Sequence, residues 1–342
     1  MTEKLPTQMR AWQYVPSQNA LPKSLILNTT APLPPSSGLL VRVTSMSTNP
    51  VDYKIAEAGA PFKYMLSTPT TPGQDFSGTV VSVPSSSSSL SIKPGDSIFG
   101  LAGPLAKHGA LGEFVAPKLD AVALIPEGVS HDDAAALPTA GVSALQSIVP
   151  YVKPQSGARV LLNGGSGAVG TYGIQIAKLL GAHVTVTCSS ANISLCKELG
   201  ADEVVDYKAG DVIASLGDKG PMFDLVVDNV GSPAELYPAS NAFLKPQGTF
   251  VKVAGMPSLG DLGATLSAKL RPAMLGGGKA KHVFMMMASK EGDLKQLASW
   301  LKEGKIKTVI DSTYEFEEAP NAYEKQKTGR ARGNIIVHVS KA

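Results

Sequence analysis

Cysteine is scarce in this chain: its 342 residues include two, Cys188 and Cys196, and five histidines. Two thiols cannot build a four-thiolate zinc lobe, and their spacing fits neither CxxC nor a two-cysteine, two-histidine pattern. A reducing compartment and no structural metal are expected. Charge is thin as well, at 17% of residues, and nearly balanced, with 31 Lys+Arg against 28 Asp+Glu for a net charge of +3. That lacks the basic footprint of a nucleic-acid binder. Residues 1–14 hold Glu3, Lys4 and Arg10 without an apolar run, so no secretory signal is expected. They are also poor in Arg for a transit peptide; a cytoplasmic location is expected, with organelle import left open. Two long uncharged runs, 134–152 and 160–177, raise the question of a membrane span. The first contains Pro138 and Pro150 and the second is laced with glycine, so both read as buried segments and no integral membrane segment is expected.

Glycine and proline are plentiful, 34 and 25 of them, and they punctuate two different patterns. Length favours two domains, at roughly 100–200 residues each. Through about residue 128, short β-rich runs such as 39–45, 78–83 and 96–100 alternate with Pro, Gly and Ser, which predicts a small β-domain. The serine run 85–89 reads as a solvated loop. From Ser130, an N-cap followed by Asp132 and Asp133, helices alternate with strands. Strands are predicted at 159–163, 183–187, 203–207, 223–227, 249–253 and 282–287. Six strands joined by crossovers make an α/β fold with a doubly wound parallel sheet. Helices at 293–302 and 319–327 and strands at 309–316 and 334–339 follow, the last returning to the first domain. The expected division is 1–128 with 290–342 for one domain and 129–289 for the other.

Gly165-Ser166-Gly167-Ala168-Val169-Gly170 is a GxGxxG between a predicted strand and helix. Such glycines allow a tight turn and close approach of backbone to a pyrophosphate at the positive end of the helix. The motif alone is weak; the strand, helix and further strands around it favour dinucleotide binding over a structural glycine turn. An acid that accepts from a ribose 2′-hydroxyl belongs about 20 residues on, at the end of the second strand. That position holds Cys188, then Ser189, Ser190, Ala191 and Asn192, and the next carboxylate in the chain is Glu198. Ser189 and Asn192 offer a 2′-phosphate neutral donors, which favours NADPH over NADH. No Arg stands beside them, leaving Lys197 or Arg332 as the available cation. Tyr207, ending the third strand, is placed to close over the adenosine. The same serines also read as an N-cap for the next helix, which is compatible with a phosphate site.

Further motifs stand outside that domain. Asn49-Pro50-Val51-Asp52-Tyr53-Lys54 follows N-P-x-D-x-K, Pro72-Gly73-Gln74-Asp75-Phe76-Ser77-Gly78 follows P-G-x-D-x-x-G, and Gly95-Asp96 with Ile98-Phe99-Gly100 follows G-D-x-V-x-G. With the glycine loop, these residues resemble the zinc-free quinone oxidoreductase-like branch of the medium-chain dehydrogenase/reductase superfamily, over essentially the whole chain. The stretch 188–207 is similar to chloroplast-envelope-type quinone oxidoreductase homologues and to fungal trans-acting enoyl reductases. The resemblance implies a GroES-like β-barrel domain beside the Rossmann sheet, with the cofactor in the cleft between them. Zinc-dependent relatives carry ligands where this chain has Asn49, Gln74 and Thr139, and amides and a hydroxyl are poor zinc ligands. Hydride transfer to the activated C=C of an enone, or to a quinone, needs no Lewis acid.

By the same resemblance Lys54 lies near the nicotinamide ribose and the acceptor, and Thr139 lines the nicotinamide. Both are catalytic candidates, with Tyr64 a third, although Tyr53 and Tyr64 equally read as core or pocket wall. Asp52 accepts from neighbouring backbone or holds Lys54. Asp52, Lys54, Thr139, Asn229 and Asn334 join Gly165, Ser166, Gly167, Ala168, Val169, Gly170, Ser189, Asn192 and Tyr207 as cofactor contacts. No proton donor is evident, and water can serve. A homodimer through the edge of the sixth strand is the implied assembly. Two further readings stay open: a trans-acting enoyl reductase for a carrier-bound polyketide chain, and a non-enzymatic NADPH-binding protein, which turnover of an enone distinguishes.

Overall fold

The structure, a computed structural model, describes residues 5–15, 21–35, 38–57, 62–84, 92–253 and 280–340. The chain begins with β1 (Gln8–Gln13), β2 (Ile26–Pro32) and β3 (Leu40–Thr48), then two short helices, α1 (Pro50–Glu57) and α2 (Phe62–Met65). Next come β4 (Asp75–Ser82), β5 (Ser97–Leu101), β6 (Phe114–Val115) and β7 (Val122–Leu124). The Ser130 side chain accepts from the Asp133 N–H and so caps α3 (His131–Ala135), and α4 (Pro138–Ile148) follows. Strict alternation then sets in: β8 (Arg159–Asn163), α5 (Ala168–Leu179), β9 (His183–Cys188), α6 (Ile193–Glu198), β10 (Glu203–Asp206) and α7 (Val212–Gly217). It continues through β11 (Phe223–Asp228), α8 (Leu236–Ala239), β12 (Leu244–Val253) and β13 (Lys281–Met285). The chain closes with α9 (Glu291–Lys302), β14 (Ile310–Glu315), α10 (Ala319–Lys327) and β15 (Asn334–His338). Among the described residues no helix is long and apolar enough to cross a membrane.

Two compact units result, one of Met1–Val142, Ala288–Gly304 and Thr308–Ala342, the other of Ser143–Met287 and Lys305–Lys307. Sequence places the change of domain after residue 128; the division by contacts falls later, inside α4. The reason is that α3 and the start of α4 are bonded to the first unit, through Ser45 Oγ donating to Asp132 (2.6 Å) and Thr139 to Asp75.

In the second unit six parallel strands lie in the order β10-β9-β8-β11-β12-β13. Numbered within the sheet that is 3-2-1-4-5-6, the doubly wound order, with β8 at the switch point where ligands bind. Val160, Leu161, Leu162, Val184, Val186, Leu225 and Val226 are fully buried, as continuous apolar strands covered on both faces must be.

In the first unit β1 and β2 pair alone, and a seven-stranded sheet runs β14-β15-β3-β4-β5-β7, with β6 also on β3. One edge of β3 is shared, by β15 along 45–48 and by β6 at 41–42. Among the described residues this sheet is an open path, since β7 and β14 at its two ends do not pair, within the GroES-like domain that the resemblance leads one to expect.

A clasp ties α3 to this sheet. His338, at the end of β15, lies between Asp132 (Nε2 to Oδ2, 3.0 Å) and Glu315 (Nδ1 to Oε1, 3.3 Å). The hydrogen bond to Asp132 leads in raising the His338 pKa above the usual histidine value. A raised histidine stabilises fully below its unfolded value of about 6.5, and the contribution fades as pH climbs through the folded value. His338→Gln is thus expected to lower Tm by about 1–3 °C at pH 6 and by almost nothing at pH 9, as measured by calorimetry.

Candidate functional site

β8 ends at Asn163, and the chain turns through 164–167 into α5, whose N-cap is Gly167. Its first-turn N–H groups have no capping side chain, which is the arrangement that receives an anion. The three motif glycines answer different steric demands. A β-carbon on Gly165 would sit 2.7 Å from the Val186 β-carbon, and one on Gly170 would collide with the Gly164 carbonyl. On Gly167 it would meet nothing nearer than 3.9 Å, so this glycine fronts open space where a pyrophosphate can approach. The tight turn itself falls on Gly164, at φ +85°, a residue outside the motif as read from sequence.

A buried polar chain holds this turn. The Gly164 N–H donates to Thr187 Oγ1 (2.9 Å), Thr187 Oγ1 donates to Asn163 Oδ1 (2.6 Å), and Asn163 Nδ2 donates to Asp228 Oδ1 (2.8 Å) and to the Ser232 carbonyl (3.0 Å). Asp228 Oδ1 also accepts from the N–H groups of Val230 (3.1 Å) and Gly231 (2.8 Å). Register sets Thr187, Asn163 and Asp228 side by side on β9, β8 and β11. Sequence reasoning passed over all three; the available signal was a polar residue at the end of each apolar run. Asn229 follows immediately, and its Oδ1 is buried without a hydrogen-bond partner. An orphaned acceptor beside an open glycine cradle fits a dinucleotide.

At the end of β9, Cys188 and Ser189 are buried, and Asn192 Nδ2 donates to Ser166 Oγ (2.9 Å), tying the serine segment to the glycine loop. Neither cysteine is in a disulfide. Sheet pairing brings in one residue that linear reading missed. Asp206 stands opposite Cys188 and accepts from Ser190 Oγ and the Lys208 N–H, and the Ser190 bond leads in holding its carboxyl below the usual aspartate range. The segment that looked free of acid until Glu198 thus has a carboxylate beside it. Tyr207 is half exposed, and its N–H donates to the Cys188 carbonyl (3.1 Å).

The first unit gathers its own candidates around Asp75. This fully buried carboxylate accepts on Oδ2 from the Thr139 N–H (2.9 Å) and Asn49 Nδ2 (3.0 Å), and on Oδ1 from Thr139 Oγ1 (2.5 Å). Asp52 Oδ2 accepts from the Asn49 N–H (2.9 Å) and the Tyr323 hydroxyl (3.3 Å). Burial pushes Asp52 up to about 8 and Asp75 up to about 7. Lys54 is exposed while Asp52 is buried, because residues two apart on α1 do not share a face. Of the two roles expected for Asp52, the backbone contact is the one seen; Asp52 does not hold Lys54. Tyr64 is 82% exposed on α2, and Asn334 is buried with Nδ2 on the Val309 carbonyl (3.2 Å). The donor set at Asn49, Gln74 and Thr139 does not fit zinc: it is two amides and a hydroxyl, and the adjacent Asp75 carboxylate is occupied on both oxygens by donors from Asn49 and Thr139. Among the described residues no three His, Cys, Asp or Glu side chains come together as a metal cluster.

Comparison with known proteins agrees with this architecture. Residues 35–127 match the alcohol dehydrogenase GroES-like domain family, and residues 199–337 match the family described as zinc-binding dehydrogenase. The chain is 42% identical over 353 residues to trans-enoyl reductase pgmF of Aspergillus terreus, a match covering 99% of this chain and 98% of that one. It is 33% identical over 332 residues to the mitochondrial NAD(P)H oxidoreductase RTN4IP1 of Mus musculus, covering 88% and 81%. Its fold matches the structure of the quinone oxidoreductase from Coxiella burnetii with a TM-score of 0.83 at 29% identity, covering 97% and 100%. The chain belongs to the medium-chain dehydrogenase/reductase superfamily. It is an NAD(P)-dependent oxidoreductase built from a GroES-like domain and a Rossmann domain.

The glycine geometry makes a separable prediction. Gly170→Ala is expected to lower stability by about 1–3 kcal/mol, because the added carbon overpacks the turn. Gly167→Val is expected to leave Tm almost unchanged and abolish dinucleotide binding; thermal melts and cofactor fluorescence titration on both variants check the pair.

Proposed function

We propose that the chain is an NADPH-dependent, zinc-independent reductase that delivers hydride to the activated C=C of α,β-unsaturated carbonyl compounds or to quinones. The observation that carries this reading is the pairing of an open dinucleotide cradle at Gly167 with Asn49, Gln74 and Thr139 at the positions where zinc-dependent relatives hold ligands. The N–H groups at the start of α5 and the glycine loop 165–170 hold the pyrophosphate, and the unpartnered Asn229 Oδ1 accepts from a cofactor N–H or hydroxyl. NADPH bound there supplies the hydride. Ser189 and Asn192 face the 2′-phosphate, supported by the absence of a carboxylate at the end of β9. Thr139 lines the nicotinamide, and the exposed Lys54 ammonium orients the acceptor. A specific observation favours a second reading: the 42% identity to trans-enoyl reductase pgmF supports an enoyl acceptor, and in this reading the enoyl chain is carrier-bound.

Fluorescence titration of the purified chain with NADPH and NADH, followed by absorbance decay at the nicotinamide band with a quinone and a short enone, tests the reading. Tight NADPH binding with decay supports it, and tight binding without decay on either free acceptor moves the substrate to a carrier. Absence of binding overturns it.

Two variants refine the assignment. Asp206→Asn is expected to tighten NADPH several-fold while leaving NADH nearly unchanged, since it removes a like charge beside the 2′-phosphate. Lys54→Ala is expected to lower kcat at least tenfold with a smaller change in NADPH Kd; equal losses would mean the lysine serves binding alone.

A further inference from the structure

Reduction of an enone needs a proton as well as a hydride, and the geometry around Asp75 supplies a route for it. Asp75 Oδ2 is occupied by two N–H donors, from Thr139 and from Asn49. Neither donor can be replaced by a proton without a clash of hydrogens, so a neutral Asp75 carries its proton on Oδ1. The described partner of Oδ1 is Thr139 Oγ1, at 2.5 Å, a separation typical of strong O–H···O bonds. In the neutral form Oδ1–H donates to Thr139 Oγ1, which turns the threonine's own hydrogen away from Asp75. Thr139 is half-buried while Asp75 is fully buried, so the hydroxyl is the outlet of the pair.

We propose that Asp75 and Thr139 form a two-member proton relay in which the Thr139 hydroxyl protonates the α-carbon of the reduced enone. The relay rests on the reading of Thr139 as a residue lining the nicotinamide and acceptor. Hydride adds to the β-carbon and leaves an enolate on the substrate. The Thr139 O–H proton moves to the α-carbon as the Asp75 Oδ1 proton moves to Thr139 Oγ1. The carboxylate left on Asp75 keeps its two N–H donors and accepts from the Thr139 hydroxyl, and water recharges it through that hydroxyl after product leaves. Burial holds Asp75 near neutrality, so it can give up and regain a proton at ordinary pH. The titratable neighbours bearing on it are Asp52 and Tyr323, both buried. Thr139 is the catalytic residue here and Asp75 acts through it.

The test uses the full chain with NADPH in deuterated water and an enone whose α-carbon becomes a stereocentre. Wild type is expected to place deuterium on one face of that carbon. Thr139→Val and Asp75→Asn are each expected to lower turnover on the order of 10²-fold and to give both configurations, while Thr139→Ser restores the single one. A second readout needs no turnover: near pH 6 both Asp52 and Asp75 contribute to the infrared carbonyl band of protonated carboxylic acids, and the Asp75 component is expected to be lost in Asp75→Asn, leaving that of Asp52, and to persist in Thr139→Val. NADPH titration shows that each variant is folded. Single-face delivery retained at full rate in both Thr139→Val and Asp75→Asn overturns the relay and makes water the donor. A wild-type chain that binds NADPH and reduces quinones but no enone overturns the relay while leaving the quinone arm of the proposed function standing; one that reduces neither overturns both.

Discussion

Asn163 is the residue on which the dinucleotide half of the molecule hangs. An amide is the side chain that can accept from Thr187 on one flank and donate to Asp228 on the other, and here it does both at the end of the central strand. An aspartate in its place would set a second carboxylate against Asp228 and lose the donor; a leucine would leave the Thr187 hydroxyl hydrogen without its acceptor, at about 1–3 kcal/mol, and strip Asp228 of one of its donors. Because Thr187 in turn holds the Gly164 N–H and Asp228 holds those of Val230 and Gly231, three strand ends and two loops share one set of bonds. The open space in front of Gly167 and the half-buried, uncapped start of α5 are consequences of that fixed turn.

The first unit repeats the device with a carboxylate at its centre. Asp75 spends one oxygen on two N–H groups and keeps the other for a hydroxyl, so its surroundings are complete without a metal-binding side chain. Matching a family described as zinc-binding does not supply ligands; the side chains do, and here they are two amides and a threonine. The consequence is chemical. Acceptors whose reduction needs no metal to hold a developing alkoxide suit this site, and electron-poor alkenes and quinones are of that kind.

Much of this was legible in sequence because it depends on local pattern. Apolar runs separated by helical stretches give the six parallel strands, and the glycine spacing gives the cradle. Ser130, with its acids, gives the cap of α3. What escaped is what strand pairing creates. Asp206 lies well beyond Cys188 in the chain and stands opposite it in the sheet, so counting along the chain from the glycine loop could not find it. Thr187, Asn163 and Asp228 each look like ordinary strand ends until register aligns them. The open sheet of the first unit likewise reflects pairing at its two ends, which local pattern does not encode. Asp52 and Lys54 differ in burial through helical phase, and the motif that unites them in sequence hides that difference.

Cofactor choice then turns on two opposed features of one turn. An acid at the end of β9 would bond the ribose hydroxyls of NADH directly and repel a 2′-phosphate at contact distance; Cys188 offers neither effect. Asp206 is charged but stands one strand further out and is already bonded to Ser190 and Lys208. Two unit charges about 7 Å apart at an effective dielectric constant of 40–80 repel by about 0.6–1.2 kcal/mol. That is under a tenfold change in affinity, since each factor of ten requires about 1.4 kcal/mol. Under the proposed NADPH reading, in which the neutral Ser189 and Asn192 set the direction of the preference, Asp206 only tunes it, and salt that screens exposed charges weakens its influence before it disturbs the buried bonds of the glycine turn.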